Sequence, residues 1–340
     1  MGRAPRRPPP RRPGRGHRRR AALGPGASAV RALWPWLDLI RVGNLPTVWT
    51  NVLAGAVCGA AAGGGPIHPP SVALAAVAGS CAYAAGMALN DVADARRDRA
   101  EKPRRPIAAG ALPRRSAAAL ASACAIAGPG VAYLAGGALA GALLGVILLL
   151  AALYNALHAR SAWAIAALAL CRGLLYPLGA IAGAAASDGT ILATRAGVWV
   201  PAAGVAAYTA LLSIAARRED RPGARVPAWL ALSVGVPAVA GAAWLVVGAQ
   251  ARTPAMAWLW GGAALLALVV WMARTAAVAT ATAPLRSPGP PRTVRAVMSW
   301  LAGLSLADAL MIGAAGSPLV ALAWLGFAVV VALHRRFLGS

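Results

Sequence analysis

From residue 37 to residue 334 apolar positions run in long stretches that charge hardly interrupts, and short polar segments separate them. The stretches are about 18–25 residues long, enough to cross roughly 30 Å of hydrocarbon at about 1.5 Å per residue. They predict helices at 37–62, 71–91, 115–135, 138–157, 161–185, 196–216, 227–248, 256–276, 295–313 and 317–334. The fold class is therefore all-α, a polytopic membrane bundle of nine or ten transmembrane helices, with nine if 295–313 lies flat or does not cross. Gly128-Pro129-Gly130 is expected to kink the third helix, which membrane helices tolerate where neighbours satisfy the freed carbonyls.

Composition agrees with a membrane protein. The 340 residues are 59% hydrophobic, against about 45–50% for a soluble domain. A net charge of +24 would suit a nucleic-acid binder, but its distribution excludes that class. One block of arginines belongs to residues 1–30, where Pro and Gly leave no periodic apolar face; this part is expected to be a disordered basic cytoplasmic tail ahead of a membrane domain at 31–340. No long apolar segment follows the basic start, so it does not read as a cleavable signal peptide. The other arginines lie between apolar runs, where anchoring on anionic lipid accounts for them.

Those inter-helix charges also set the orientation. Arg96 to Arg115, His158 to Arg160, Arg217 to Arg225 and Arg274 to Arg295 follow the even-numbered helices, while the alternate loops are nearly bare. The positive-inside rule then places the amino terminus and the basic loops of this multi-pass protein on the cytoplasmic side of the cytoplasmic membrane. Cys58, Cys81, Cys124 and Cys171 lie within apolar runs as buried thiols, and His17, His68, His158 and His334 are too scattered for a zinc site.

One polar cluster breaks the pattern. Asn90, Asp91, Asp94 and Asp98 follow the second helix, and at about 100° per residue they share an arc of about 100° on one face. Starting at the helix end and running into the loop, three stacked carboxylates repel one another unless a cation sits among them. Mg²⁺ is held by one or two carboxylates plus substrate phosphates, so a diphosphate is the natural third party. A plain polar helix end at the headgroups would more readily use Arg or Lys.

The next segment, Lys102-Pro103-Arg104-Arg105-Pro106-Ile107-Ala108-Ala109-Gly110, completes a pair of motifs. Together they resemble the UbiA family of intramembrane prenyltransferases, whose signature is Asn-Asp-x-x-Asp-x-x-x-Asp followed by Arg-Pro-Leu/Ile-x-x-Gly. Arg41 and Asn44 in "LIRVGNLPTVWTNVLAG" match residues that face the site in the family's first helix. "LYNALHAR" resembles its Tyr-x-x-x-Lys element, with Tyr154 retained and His158 in place of Lys. "LCRGLLYPLGA" and "LLSIAARRED" look most like the EboC-like branch.

The resemblance implies transfer of an isoprenoid group from a prenyl diphosphate to a small hydrophobic, aromatic or hydroxyl-bearing acceptor in the membrane. Asp91, Asp94 and Asp98 would hold Mg²⁺ while Arg105 acts as a second electrophile. Arg41, Asn44, Asn90, Lys102, Tyr154, His158, Arg172, Arg217 and Glu219 would contact substrate. Two roles fit Arg172, deep in the fifth helix: a substrate contact in a cavity, or an ion pair with Asp308. The sixth helix departs from the family by ending Arg217-Arg218-Glu219-Asp220, without a second Asp-rich motif, so a second Mg²⁺ is not expected. The competing class is a non-catalytic transporter or lipid-binding protein on the same fold.

Overall fold

The computed structural model describes residues 25–158, 161–184, 196–218, 225–247, 254–281 and 291–338. The chain forms two compact units, Met1–Trp34 and Pro35–Ser340. In the first, residues 25–34 are helical; most of the stretch expected to be disordered, residues 1–24, lies outside the described residues. The helices are α1 (Pro25–Leu39), α2 (Leu45–Gly59), α3 (Pro69–Glu101), α4 (Arg114–Leu157), α5 (Ala164–Gly173), α6 (Leu175–Gly183), α7 (Ala196–Ala216), α8 (Ala228–Ser233), α9 (Val236–Val247), α10 (Pro254–Thr280), α11 (Arg292–Ala314) and α12 (Val320–Leu338). No strand occurs among the described residues.

Among the described residues, eight helical segments are long and apolar enough to cross a membrane. One of them, α4, doubles back. Its helical dihedrals continue through Pro129 and break at Gly136 and Gly137, where Gly137 takes φ 69°, a left-handed angle that glycine adopts without a Cβ clash. A Cβ on Gly141 would lie 3.2 Å from the Pro129 carbonyl oxygen, and one on Gly128 3.0 Å from Leu144, so the two legs pack side by side. The legs match the third and fourth helices read from the sequence; the sharp break falls at the glycine pair rather than at Pro129. Likewise α5 and α6 together form one span, 164–183, interrupted at Leu174 just ahead of Pro177. The α11 segment is among these eight candidates, and 83% of its most apolar stretch is buried inside the bundle.

Two boundaries differ from the sequence reading, and both shape the site. The first span starts at Val42, not at 37, because the chain turns at Arg41 with φ 48° and ψ 56° before a short 3-10 turn. Arg41 is the one non-glycine residue with positive φ among those described, a conformation that costs about 1–3 kcal/mol and persists where its surroundings hold it. The second helix does not end at 91. α3 starts on Pro69-Pro70 and runs 33 residues to Glu101, about 50 Å at 1.5 Å per residue, before Pro103 prevents its continuation. Its last turns outlast the hydrocarbon, and all three aspartates sit on unbroken helix.

The bundle closes around a backbone-to-backbone crossing of α2 and α6. Gly55 and Gly59 on α2 face Tyr176 and Ala180, while Gly179 and Gly183 on α6 face Val52 and Ala56. Paired small residues four apart let membrane helices meet at main-chain distance, where dispersion replaces a missing hydrophobic drive. A Cβ on Gly55 would collide with the Tyr176 carbonyl oxygen and one on Gly179 with that of Val52. Gly55→Val should therefore force the helices apart and lower the thermal midpoint well beyond the effect of Gly145→Val, a position with open space around its Cβ. Equal midpoints would refute this crossing as the closest contact in the bundle.

Candidate active site

A cavity of about 1240 Å³ lies where α3 emerges beside the starts of α2 and α11 and the ends of α7 and α12. On the α3 wall stand Asn90, Asp91, Asp94, Arg97 and Glu101, spaced so that each turn presents one polar group. Asp91 and Asp94 are buried to 3% and 8% exposure, and both line the cavity. Asp98, at 2% exposure, is not part of the lining; it faces the loop behind.

Arginines answer these carboxylates. Arg105 reaches back from the Pro-rich loop, and its Nη1 donates to Asp98 at 2.7 Å and to Asp91 at 3.2 Å. Arg41 Nη2 lies 3.6 Å from the same Asp91 oxygen. Arg97 Nη2 donates to Asp94 at 2.8 Å, and His158 Nε2 lies 3.2 Å from that oxygen. Tyr154 stacks on His158 with ring centroids 5.4 Å apart. Lys102 and Arg217 also line the cavity, and Arg217 is braced by donating to the Ser161 carbonyl at 2.7 Å. Asp38, on α1 outside the spans, has its carboxyl pushed up by burial, with Arg41 and Arg105 opposing that shift.

The site thus gathers Arg41, Asn44, Asn90, Asp91, Asp94, Lys102, Arg105, Tyr154, His158 and Arg217 around one cavity. Glu219 lies outside the described residues. Arg172 is elsewhere: it is absent from the cavity wall, its Nη1 donates to Asn51 at 3.1 Å, and its guanidinium sits 5.8 Å over the Tyr83 ring. Neither expected role holds as stated, because Asn51 stands between Arg172 and Asp308 and donates to the Asp308 carboxylate at 2.7 Å. Depth in the membrane was legible from sequence; the face of the helix was not.

Four lining residues were not singled out from sequence. Arg97 and Glu101 read as loop charges because α3 was expected to end at 91, whereas a continuing helix puts them one and two turns beyond Asp94. Asp38 fell within an apparent first span. His334 stands 290 residues from its partner Asn44, to which Nε2 bonds at 2.7 Å, and no local spacing reports such a pair.

Apolar side chains complete the wall: Ile165 and Leu168 of α5, Leu212 of α7, and Val297 and Leu301 of α11. The family model for the UbiA prenyltransferase family matches residues 49–282, and the chain belongs to that family. The fold is also seen in a UbiA homologue from Aeropyrum pernix K1, solved in its apo form, with TM-score 0.55 and 21% identity over 81% of this chain and 95% of that one. A structure that gives insights into digeranylgeranylglyceryl phosphate synthase in membranes aligns with TM-score 0.52 and 15% identity over 84% of this chain and 99% of that one. Comparison with curated proteins gives no match.

Proposed function

We propose that the protein transfers a prenyl group from a prenyl diphosphate to a small acceptor that is hydrophobic or bears an aromatic ring or hydroxyl, with Mg²⁺ at the aspartates. The observation that carries this is a cavity whose wall combines carboxylates and arginines with apolar side chains from α5, α7 and α11. A diphosphate with an isoprenoid tail combines the same two characters. The positive-inside charge pattern puts the aspartates at the cytoplasmic face.

The residues fit the metal. Asp91 and Asp94 offer hard carboxylate oxygens on one wall, and no third His, Cys, Asp or Glu joins them in a metal-holding group among the described residues. Such a pair suits Mg²⁺, which takes one or two carboxylates and fills its shell with phosphate and water oxygens. Bound there, the ion would neutralise charge growing on the departing diphosphate.

The chain's own side chains do the rest. Arg41, Arg97, Lys102, Arg105 and Arg217 supply positive charge toward the leaving group. The apolar wall excludes water from the allylic carbon, which would otherwise be quenched by hydrolysis. Arg217 stands where a second metal's carboxylates would be expected, so one Mg²⁺ per diphosphate is the preferred stoichiometry. The test is Mg²⁺-dependent pyrophosphate release from farnesyl diphosphate by detergent-purified protein supplied with a membrane lipid extract, with products identified by mass spectrometry. Binding without release in every extract would favour the non-catalytic alternative.

Arg105 gives a sharper check. Its Nη1 donates to two carboxylates, and the guanidinium fork can hold two diphosphate oxygens, which a point ammonium cannot. Arg105→Lys should weaken prenyl diphosphate binding at least tenfold, or about 1.4 kcal/mol. Unchanged affinity in a titration would remove Arg105 from the diphosphate site.

A further inference from the structure

We propose that His334 is a positioning residue for the diphosphate end of the cavity, acting through Asn44 on the turn at Arg41–Asn44; this rests on the prenyl diphosphate function above. The turn places two cavity groups, the Arg41 guanidinium and the Asn44 amide. Its own hydrogen bonds are local: Arg41 N–H to Asp38 O at 2.9 Å, Asn44 N–H to Arg41 O at 2.9 Å, and Thr47 Oγ1 to Asn44 O at 2.6 Å. None of these fixes the turn against the rest of the bundle.

His334 does. It projects from the last helix, is 6% exposed and lines the cavity. Its Nε2 lies within hydrogen-bond distance of Asn44 Oδ1, at 2.7 Å, and the ring is also held by a hydrogen bond with the Met298 backbone. The ring lies so close to the turn that a Cβ on Gly43 would come within 3.1 Å of its Cδ2. A buried histidine on an apolar helix is ordinarily a packing residue, but this one clasps a left-handed turn and ties up one side of an amide. Among the described residues no other hydrogen bond holds the Asn44 side chain, and Asn44 lines the cavity. Both members of the pair lie outside residues 49–282, the part that matches the family model.

The experiment titrates full-length protein in detergent with farnesyl thiodiphosphate and Mg²⁺, following thermal midpoints to show that each variant is folded. His334→Ala should bind about tenfold more weakly, and His334→Gln, which restores an N–H donor, should recover most of that loss. Asn44→Ala/His334→Ala should be no weaker than Asn44→Ala within about twofold, since the two residues act as one unit. If His334→Ala does not fold, His334→Phe, with a ring against Gly43 and no donor, is compared with His334→Gln and should be the weaker binder. A folded donor-less variant that binds like wild type overturns the proposal, as does a double variant showing the full product of the two single losses. Should wild type bind inorganic pyrophosphate but not the thiodiphosphate, the prenyl reading fails, and the same variants are titrated with pyrophosphate. Equal pyrophosphate affinity in wild type and His334→Ala then overturns the positioning role too, and absence of both ligands from wild type overturns both.

Discussion

Replacing Asp91 by Asn is expected to lower Mg²⁺-dependent pyrophosphate release by a factor of about 10²–10³, the usual scale for removing one preorganised group that stabilises transition-state charge. The side chain keeps its shape, so packing at this 3% exposed position is retained. What changes is charge. The Mg²⁺ proposed at Asp91 and Asp94 would lose one of its two carboxylates, and Arg105 and Arg41 lose the anion that they face. Asp94→Asn should behave similarly, with Arg97 and His158 released instead. Asp98→Asn should cost less, because that carboxylate lies behind the wall and acts through Arg105 at 2.7 Å. The informative result is this order, measured at saturating Mg²⁺ on folded protein. An Asp98 variant more impaired than either of the others would shift the metal site down the helix, and full activity in Asp91→Asn would remove it altogether.

Much of this arrangement was written in local pattern. Runs of apolar residues gave the spans and the division at 136–137, and the aspartate spacing put Asp91 and Asp94 on one helical face. Boundaries failed where charge entered an apolar run. Asp38 and Arg41 were absorbed into the first span, since a left-handed turn at an arginine has no signature in periodicity. Arg96 to Glu101 looked like a loop because their polarity is that of a loop; only the absence of a breaker before Pro103 hinted at continuing helix. The pairings that complete the site are of another kind. Asn44 with His334, and Thr50, Asn51 and Tyr176 with Asp308, join residues more than 130 positions apart. Such contacts depend on how helices rotate against one another, which a single sequence does not record.

The Asp308 cluster should yield the largest loss of stability. Asp308 is fully buried on α11 and takes hydrogen bonds from Thr50 and Asn51 of α2 and from Tyr176 of α6, the last at 2.7 Å. Arg172 of α5 joins through Asn51, so four helices meet on one carboxylate. Individual hydrogen bonds in membrane proteins average only about 0.6 kcal/mol, because partners are also found in the unfolded chain within the bilayer. That figure would make Asp308→Ala mild. The competing effect is larger: truncation strands the buried Tyr176 and Asn51 donors, leaves Thr50 only the Thr47 carbonyl, and removes the anion that reaches Arg172 through Asn51, at about 1–3 kcal/mol for each buried group left unsatisfied. The second effect should win, because the site is enclosed by the α2–α6 crossing and has no room to rearrange. Asp308→Ala is therefore expected to lose about 3 kcal/mol in a reversible SDS unfolding titration. Adding Arg172→Met should recover part of that loss by removing the stranded charge. A loss of under about 1 kcal/mol for Asp308→Ala, in the range of ordinary exposed substitutions, would show that the cluster is a set of weak independent bonds.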